Sequence, residues 1–217
     1  MESESILAKK FVTYFESCGY DVYKEVAYCG GRIDIVATDG HIRIACEVKN
    51  SANLHVLAQA VHAHSRCHYS YIGIPKVSHT FYRQVCDKFG IGILETNAIW
   101  DGSVWESERP LMNRRVLPLK LENYMKESVA GGLSGEQMTP FKVTVRDIVR
   151  YVEKHPNSKF SDVLKEVPTH YHSISTAKSS IRKWINSGVI KEFTINKGVV
   201  ELVPVKIKDV QTTSSAG

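Results

Sequence analysis

The chain has 217 residues, of which 43% are hydrophobic, and this is enough for one large domain or two small ones with packed cores. No run of about 18 apolar residues occurs and the N-terminus has no signal-peptide core, so we expect neither a transmembrane helix nor secretion. The five cysteines are odd in number and never form a CxxC pair, which argues against a disulfide framework and a cysteine zinc site. We therefore expect a reducing compartment, cytoplasmic or nucleoid-associated, and no membrane partner.

The net charge of +5 is distributed unevenly along the chain. Residues 140–217 carry 13 Lys and Arg against 7 Asp and Glu, whereas residues 1–139 carry 15 against 16. All of the basic excess thus lies in the C-terminal third. This asymmetry predicts a polyanion-binding module attached to a second unit.

The first 96 residues alternate between helical and strand patterns. Apolar residues at helical spacing predict a first helix over 3–18, which Gly19 ends. The later predicted elements are a strand around 20–28, a hairpin over 30–49, a helix over 54–68, a strand over 69–75, a helix over 78–89 and a strand over 90–96. This order predicts an α/β fold with a mixed sheet and helices on its faces.

Residues 106–139 lose this pattern and are dense in Gly, Ser and Pro, apart from one candidate helix over 119–128. From about residue 141, three helical segments closed by Pro or Gly precede a two-strand hairpin. We therefore predict a first domain over 1–112, a linker over 113–139, a second domain over 140–206 and a disordered tail over 207–217.

The predicted hairpin contains GRIDIVATDGHIRIACEVK, residues 31–49, and places charged groups on an otherwise apolar ribbon. With Asp39–Gly40 as a two-residue turn, Asp34 faces Ala45, and period two separates an apolar face from a charged one. The charged face carries Arg32, Asp34, Arg43, Glu47 and Lys49. Asp34 and Glu47 are then diagonal neighbours, with Cβ atoms roughly 7–8 Å apart or less.

Two carboxylates at this separation can share one divalent cation, because a metal–oxygen bond adds roughly 2.1 Å to the reach of each side chain. Asp34, Glu47 and the backbone carbonyl of Val48 suffice as a shell for Mg²⁺, which keeps several waters, and Mn²⁺ is the expected substitute. Such an ion with Lys49 beside it has the chemistry for phosphodiester hydrolysis. The alternative is that these are ordinary charges on a solvated sheet face.

GRIDIV and IACEVK, within an αβββαβ order, resemble the PD-(D/E)xK nuclease superfamily, whose restriction-endonuclease-like fold occurs in restriction enzymes and Holliday-junction resolvases. The resemblance covers residues 3–96 and implies the catalytic residues Asp34, Glu47 and Lys49, although Ile33 stands where the motif has proline. It also implies a further acid, for which Glu25 is our choice and Glu16 and Glu4 are rivals. Gln59 matches the glutamine that many members carry on the next helix; the alternative is a surface glutamine.

The last predicted helix, SISTAKSSIRKWINSG, is third in a trihelical unit and precedes a hairpin, an arrangement that resembles a winged helix-turn-helix. The resemblance implies that this helix enters the major groove of DNA and that the wing contacts the backbone. The residues that we expect to contact DNA are Arg32, Ser175, Thr176, Lys178, Ser179, Arg182, Lys183 and Lys197. The alternative is a winged helix used for protein contact or dimerisation.

Together, the two halves predict a Mg²⁺-dependent endodeoxyribonuclease whose winged helix binds duplex DNA. One alternative is a catalytically inactive, nuclease-like regulator or scaffold. Another is a structure-selective resolvase or a subunit of a transposition or defence complex. One active site per chain cuts one strand, so duplex cleavage predicts a homodimer or two binding events. A protein partner in a larger DNA-processing complex is a further expectation.

Overall fold

The computed structural model describes residues 2–96, 103–131 and 138–204 and divides the chain into two compact units, Met1–Met138 and Thr139–Gly217. The predicted tail over 207–217 lies outside the described residues. In the part of the chain that the structure describes, no helix is both long and apolar enough to cross a membrane.

The first unit is an α/β fold built on one mixed sheet. Its elements are α1 Glu4–Ser17, β1 Asp21–Tyr28, β2 Gly31–Thr38, β3 Arg43–Val48, α2 Leu54–His64, β4 Tyr69–Ile74, α3 Thr80–Phe89, β5 Gly92–Thr96 and β6 Val104–Glu108. The six strands lie in sequence order, β1 to β6. The first three strands are antiparallel, β3, β4 and β5 are parallel, and β6 returns antiparallel to β5. The predicted α/β class with a mixed sheet is confirmed.

Local chemistry explains where the first two helices begin and end. The Ser3 hydroxyl accepts a hydrogen bond from the Ile6 N–H, and Gly19 follows the helix with a φ of +85°. The Asn53 side chain caps α2 by accepting from the Val56 N–H at 2.9 Å. This second helix ends at His64, four residues before the predicted end, and the His68 ring then accepts a hydrogen bond from the Arg43 N–H at 3.0 Å.

Helices cover both faces of the sheet, so the charged face of the β2–β3 hairpin is not a solvated surface. Buried α1 residues pack on one face against Ile35, Cys46 and Val48. On the opposite face, α2 and α3 pack on β4 and β5, and Ala63 of α2 joins Val36 and Ala45 in a buried cluster. Glu47 lies two residues after Ala45 on β3 and therefore points to the same side of the sheet as Ala45, the side that α2 covers. Asp34 lies close enough to Lys49 and to Glu4 of α1 for their charges to affect its pKa.

The sequence pattern gave no indication of β6 or of the packing that follows it. Leu111, Asn113 and Leu117 each donate a backbone hydrogen bond to a loop carbonyl of the first unit. In place of the predicted helix over 119–128, a 3₁₀ turn spans Asn123–Glu127 and packs on β1. The described part of the predicted linker thus lies against the first unit. These contacts are backbone hydrogen bonds between loops. Because such bonds do not require a periodic pattern of hydrophobic residues, the sequence contains no sign of them.

The second unit contains three helices and a two-stranded hairpin, in the predicted order. Its elements are α4 Pro140–Lys154, α5 Phe160–Glu166, α6 Ile174–Asn186, β7 Phe193–Asn196 and β8 Val199–Leu202. Thr139 and Ser173 cap α4 and α6. The loop before α5 joins the hairpin, because Phe160 donates to the Gly198 carbonyl at 2.8 Å and Val200 donates to the Ser158 carbonyl at 3.1 Å. The second unit has its own hydrophobic core, which contains Ile148, Phe160, Ile181 and Phe193.

Candidate active site

The β2–β3 hairpin has a longer turn than the predicted two-residue turn at Asp39–Gly40. Thr38 pairs with Arg43, which leaves four residues in the turn. The Asp39 carboxylate accepts hydrogen bonds from the His41 and Ile42 N–H groups at 2.9 and 2.7 Å, and these bonds hold the longer turn. The register therefore differs from the predicted one by two residues, and a shift of two keeps the alternation between the two faces. Ile33 is an exception, because it is buried with Val36 and Ala45 and not with Ile35 and Cys46 as predicted.

This shift changes the predicted relation between Asp34 and Glu47. Ile35 pairs with Cys46, so the same register places Asp34 directly opposite Glu47 and not opposite Ala45. Directly opposite residues have Cβ atoms about 4.5–5.5 Å apart, closer than the predicted diagonal pair. The Val48 N–H donates to Asp34 Oδ2 at 2.9 Å and fixes this carboxylate across the strands.

Glu47 is a buried acid whose carboxylate is unsatisfied. Its exposed fraction is 1%, and neither side-chain oxygen has a hydrogen-bond partner among the described residues. Burial, followed by the charge of Asp34, raises the pKa of Glu47 well above its ordinary value. Burial also raises the pKa of Asp34, against the opposing effects of the Val48 N–H and the charge of Lys49. Two adjacent carboxylates in this state favour the uptake of a cation or a proton.

Lys49 is held beside the two acids by an ion pair. Its Nζ atom donates to Glu4 Oε2 at 2.7 Å, from the first turn of α1. Burial would lower the pKa of Lys49, but the bond to Glu4 and the charges of Glu4, Asp34 and Glu47 outweigh it, so the pKa is raised. Lys49 therefore stays a cation, and Glu4, a rival for the further acid, lies at the site.

Glu25 also lies beside Asp34. Lys24 pairs with Ile35 and Val26 with Ile33, so Glu25 and Asp34 are opposite each other between these pairs. Glu25 has a φ of +57°, a left-handed conformation that costs a non-glycine residue about 1 kcal/mol or more. Burial, followed by the charge of Asp34, raises the pKa of Glu25 to about 7.

Donors from different parts of the chain hold the Glu25 carboxylate. Arg32 Nε lies 3.2 Å from Oε2, and the Gly131 N–H donates to Oε1 at 2.9 Å. The other rival acid, Glu16, is instead close enough to Lys24 for its charge to oppose the lowering of that lysine's pKa by burial. The contact from Gly131 could not be found in the sequence, because the two residues are separated by 106 positions and share no motif.

Gln59 and Val48 are the other residues that we predicted at the site. Gln59 is half-buried on α2, and its Oε1 atom is buried without a hydrogen-bond partner among the residues described. The Val48 side chain is fully buried at the end of β3. Within the described ranges, no group of three or more His, Cys, Asp or Glu side chains is arranged to hold a metal ion.

Most of the predicted DNA-binding residues are exposed on α6. Ser175, Thr176, Ser179, Arg182 and Lys183 are exposed, Lys178 is half-buried, and Lys197 is exposed in the β7–β8 turn. The sequence of α6 contains no acidic residue, so its outer face is basic and rich in hydroxyl groups. Arg32 lies in the first unit and is paired with Glu25.

A scan against models of known protein families finds no match for this chain, and a search of curated proteins finds no matching relative. The family resemblance therefore rests on the motif and on the order of the elements.

Proposed function

We propose that the chain is a metal-dependent DNA endonuclease of the PD-(D/E)xK type whose C-terminal unit binds duplex DNA as a winged helix. The observation that carries this proposal is Glu47, a buried carboxylate with two unsatisfied oxygens directly opposite Asp34. Lys49 lies beside both acids as a cation. The order of α1, the β1–β3 meander, α2 and the parallel β4 supports the same assignment.

The donor set fits a hard divalent cation. The unsatisfied oxygens of Glu47, the Asp34 carboxylate and the Val48 carbonyl would hold Mg²⁺, with water in the remaining positions and Mn²⁺ as a substitute. When bound, the ion would neutralise charge on the phosphate and lower the pKa of a coordinated water. Two carboxylates with few other protein donors suit Mg²⁺, which retains much of its hydration shell.

The side chains around the pair supply the remaining chemistry. Lys49 stabilises the charge that develops on the phosphate, and Glu4 keeps the lysine protonated and aimed at the site. Glu25, whose carboxylate is held beside Asp34, would accept a proton from the attacking water. The unsatisfied carbonyl of Gln59 orients that water.

The C-terminal unit would bind duplex DNA through α6 and the hairpin turn. Three helices, a two-stranded hairpin and the bonds between the loop before α5 and β8 support the winged-helix assignment. Arg182, Lys183 and Lys197 are placed to neutralise phosphates, and the exposed hydroxyl groups of α6 can donate to the backbone. With one candidate site per chain, cutting both strands would take a homodimer on DNA or two binding events.

The proposal is tested by incubating the protein with supercoiled plasmid, linear duplex, single-stranded and four-way-junction DNA in Mg²⁺, Mn²⁺ or EDTA. We expect metal-dependent cutting that is lost in Asp34→Ala and retained in Asp87→Ala, a matched change at an exposed acid on α3. The preferred substrate distinguishes a restriction-like role from a resolvase-like role. If the unmodified protein cuts none of these substrates, a regulator or scaffold replaces the nuclease.

A further inference from the structure

Residues 128–131, which we name the strap, run from the 3₁₀ turn back to the candidate active site. Ser128 is 3% exposed and Ala130 is 4% exposed, while Val129 between them faces outwards. Ala130 belongs to the core cluster that also contains α1 residues Leu7, Ala8 and Phe11. The strap is therefore packed into the first unit.

Gly131 ends the strap between two acids of the site. Its N–H donates to Glu25 Oε1 at 2.9 Å. Its φ is +63°, and a Cβ atom added there would lie 3.1 Å from the Glu4 backbone carbonyl oxygen and 3.5 Å from the Ala8 Cβ. Both the backbone conformation and the available space thus favour glycine, and the tight contact is with the turn of α1 whose carboxylate holds Lys49.

Glu25 depends on such support from outside its own strand. Its left-handed backbone is strained for a non-glycine residue, and strain of this kind persists only where the surroundings hold it. Arg32 holds one carboxylate oxygen and Gly131 the other. Without the Gly131 N–H, the carboxylate would lose a fixed donor, and its position beside Asp34 would be less defined.

We propose that the strap fixes the Glu25 carboxylate beside Asp34, and that Gly131 is a positioning residue for divalent-cation binding at this site. The inference rests on the proposed function, because it assumes that Asp34 and Glu47 bind the cation. The Glu25 carboxylate, held beside Asp34 and Glu47, adds negative charge near the cation. Because its position is already fixed, it does not lose conformational freedom when the cation binds. Binding energy is then not spent on fixing a mobile side chain.

This role is tested by titrating the whole chain with Mn²⁺. Electron paramagnetic resonance measures the concentration of free Mn²⁺ at each step. We expect Gly131→Ala to raise the dissociation constant about tenfold relative to Gly19→Ala. Gly19 is the matched control, because its φ of +85° imposes the same strain on alanine while no atom lies within 4 Å of the added Cβ. Equal affinities in these two variants would overturn the proposal, and so would tighter binding by Gly131→Ala.

Glu25→Gln, alone and combined with Gly131→Ala, separates positioning from general damage to the site. If Gly131 acts through Glu25, the double variant binds Mn²⁺ no more weakly than Glu25→Gln alone. Additive losses would contradict the proposal. Asp34→Asn separates the two claims: unchanged binding in that variant refutes the metal site itself. Binding lost in Asp34→Asn but unaffected by Gly131→Ala refutes only the role of the strap.

A second measurement needs no glycine variant and so does not depend on its folding. If the strap strengthens cation binding, cation binding must stabilise the strap to the same extent. Hydrogen exchange at the Gly131 amide, followed in the unmodified protein, should therefore slow about tenfold at saturating Mg²⁺, matching the tenfold effect on affinity. An exchange rate that Mg²⁺ leaves unchanged would overturn the proposal.

Discussion

Glu47 is a carboxylic acid that is only 1% exposed, and neither of its side-chain oxygens has a hydrogen-bond partner among the described residues. Folding gains little from such a group, because a buried unsatisfied carboxylate costs more than a buried apolar side chain. The cost is understandable if the residue binds a cation, which would satisfy both oxygens. The stability of the protein should therefore reveal the role of Glu47 independently of any enzymatic assay.

Glu47→Gln should stabilise the protein in EDTA at pH 8 by about 1–2 kcal/mol, because a neutral amide can donate to Asp34 where the carboxylate is repelled. Saturating Mg²⁺ should then stabilise the unmodified protein by about 2.7 kcal/mol at 100 times the dissociation constant, and the variant hardly at all. Urea unfolding with and without Mg²⁺ measures both effects. Glu153→Gln, at an exposed residue of α4, is the control. Equal responses to Mg²⁺ in the variant and the unmodified protein would contradict the assignment.

A second buried acid, Glu95, is fully satisfied and should behave in the opposite way. Its carboxylate accepts from the Val77 N–H at 2.5 Å and from Arg83 Nη2 at 2.7 Å. Burial would raise the pKa of Glu95, but the hydrogen bonds from Ser107, Val77 and Arg83 outweigh it, so the pKa is lowered. Because the pKa of Glu95 in the folded protein is below the ordinary value of 4.5, ionised Glu95 stabilises the fold at pH values above 4.5. This stabilisation is lost as the pH falls through the pKa of the folded state.

We therefore expect Glu95→Gln to lower the free energy of unfolding by about 2 kcal/mol at pH 7, and this deficit to shrink as the pH falls below about 4.5. Urea unfolding of both proteins at several pH values measures the difference. A deficit that is constant from pH 7 to pH 3 would show that the charge of Glu95 does not contribute.

At the scale of elements, the β2–β3 hairpin shows which information the sequence contains. Alternating apolar residues identify both strands and their faces, and Asp39–Gly40 marks the position of the turn. The length of the turn depends on which backbone N–H groups the Asp39 carboxylate accepts, and the sequence does not specify this. The faces were predictable because an error of two residues preserves them, whereas the direct opposition of Asp34 and Glu47 was not.

Asp39→Ala should therefore lower the free energy of unfolding, because two N–H groups of the turn lose their acceptor. The cost is modest since the turn is exposed and water can replace the carboxylate. Chemical denaturation measures this cost, and the control is Asp87→Ala on α3. A loss no greater than that of the control would show that the carboxylate does not hold the turn.

The charge on α6 leads to a prediction about salt dependence. Arg182→Ala combined with Lys183→Ala should reduce the slope of log affinity against log salt by about 2 for duplex DNA, since each lost phosphate contact removes about 0.9. Lys154→Ala combined with Lys165→Ala removes the same charge from α4 and α5 and should change the slope little. Fluorescence anisotropy over a range of salt concentrations measures both. Equal slopes in the two double variants would exclude α6 as the DNA-binding surface.

At the scale of the whole molecule, the candidate site is assembled from distant parts of one unit. Asp34, Glu47 and Lys49 lie within 16 residues of each other and form a motif, so the sequence alone pointed to them. Glu4 comes from the start of the chain and Gly131 from the segment after β6. Their contacts arise only when α1 and the strap pack on the sheet, so no local pattern could predict them.

The most direct test of the proposed nuclease compares DNA cleavage and DNA binding by the unmodified protein and by Glu47→Gln. The substitution preserves side-chain volume and leaves the basic α6 unchanged, so we expect duplex affinity to stay within twofold. Cleavage in Mg²⁺ should fall at least about a hundredfold, since a cation ligand is lost. Cleavage that persists in Glu47→Gln at the unmodified rate would contradict the account, because catalysis would then lie outside the Asp34–Glu47 pair.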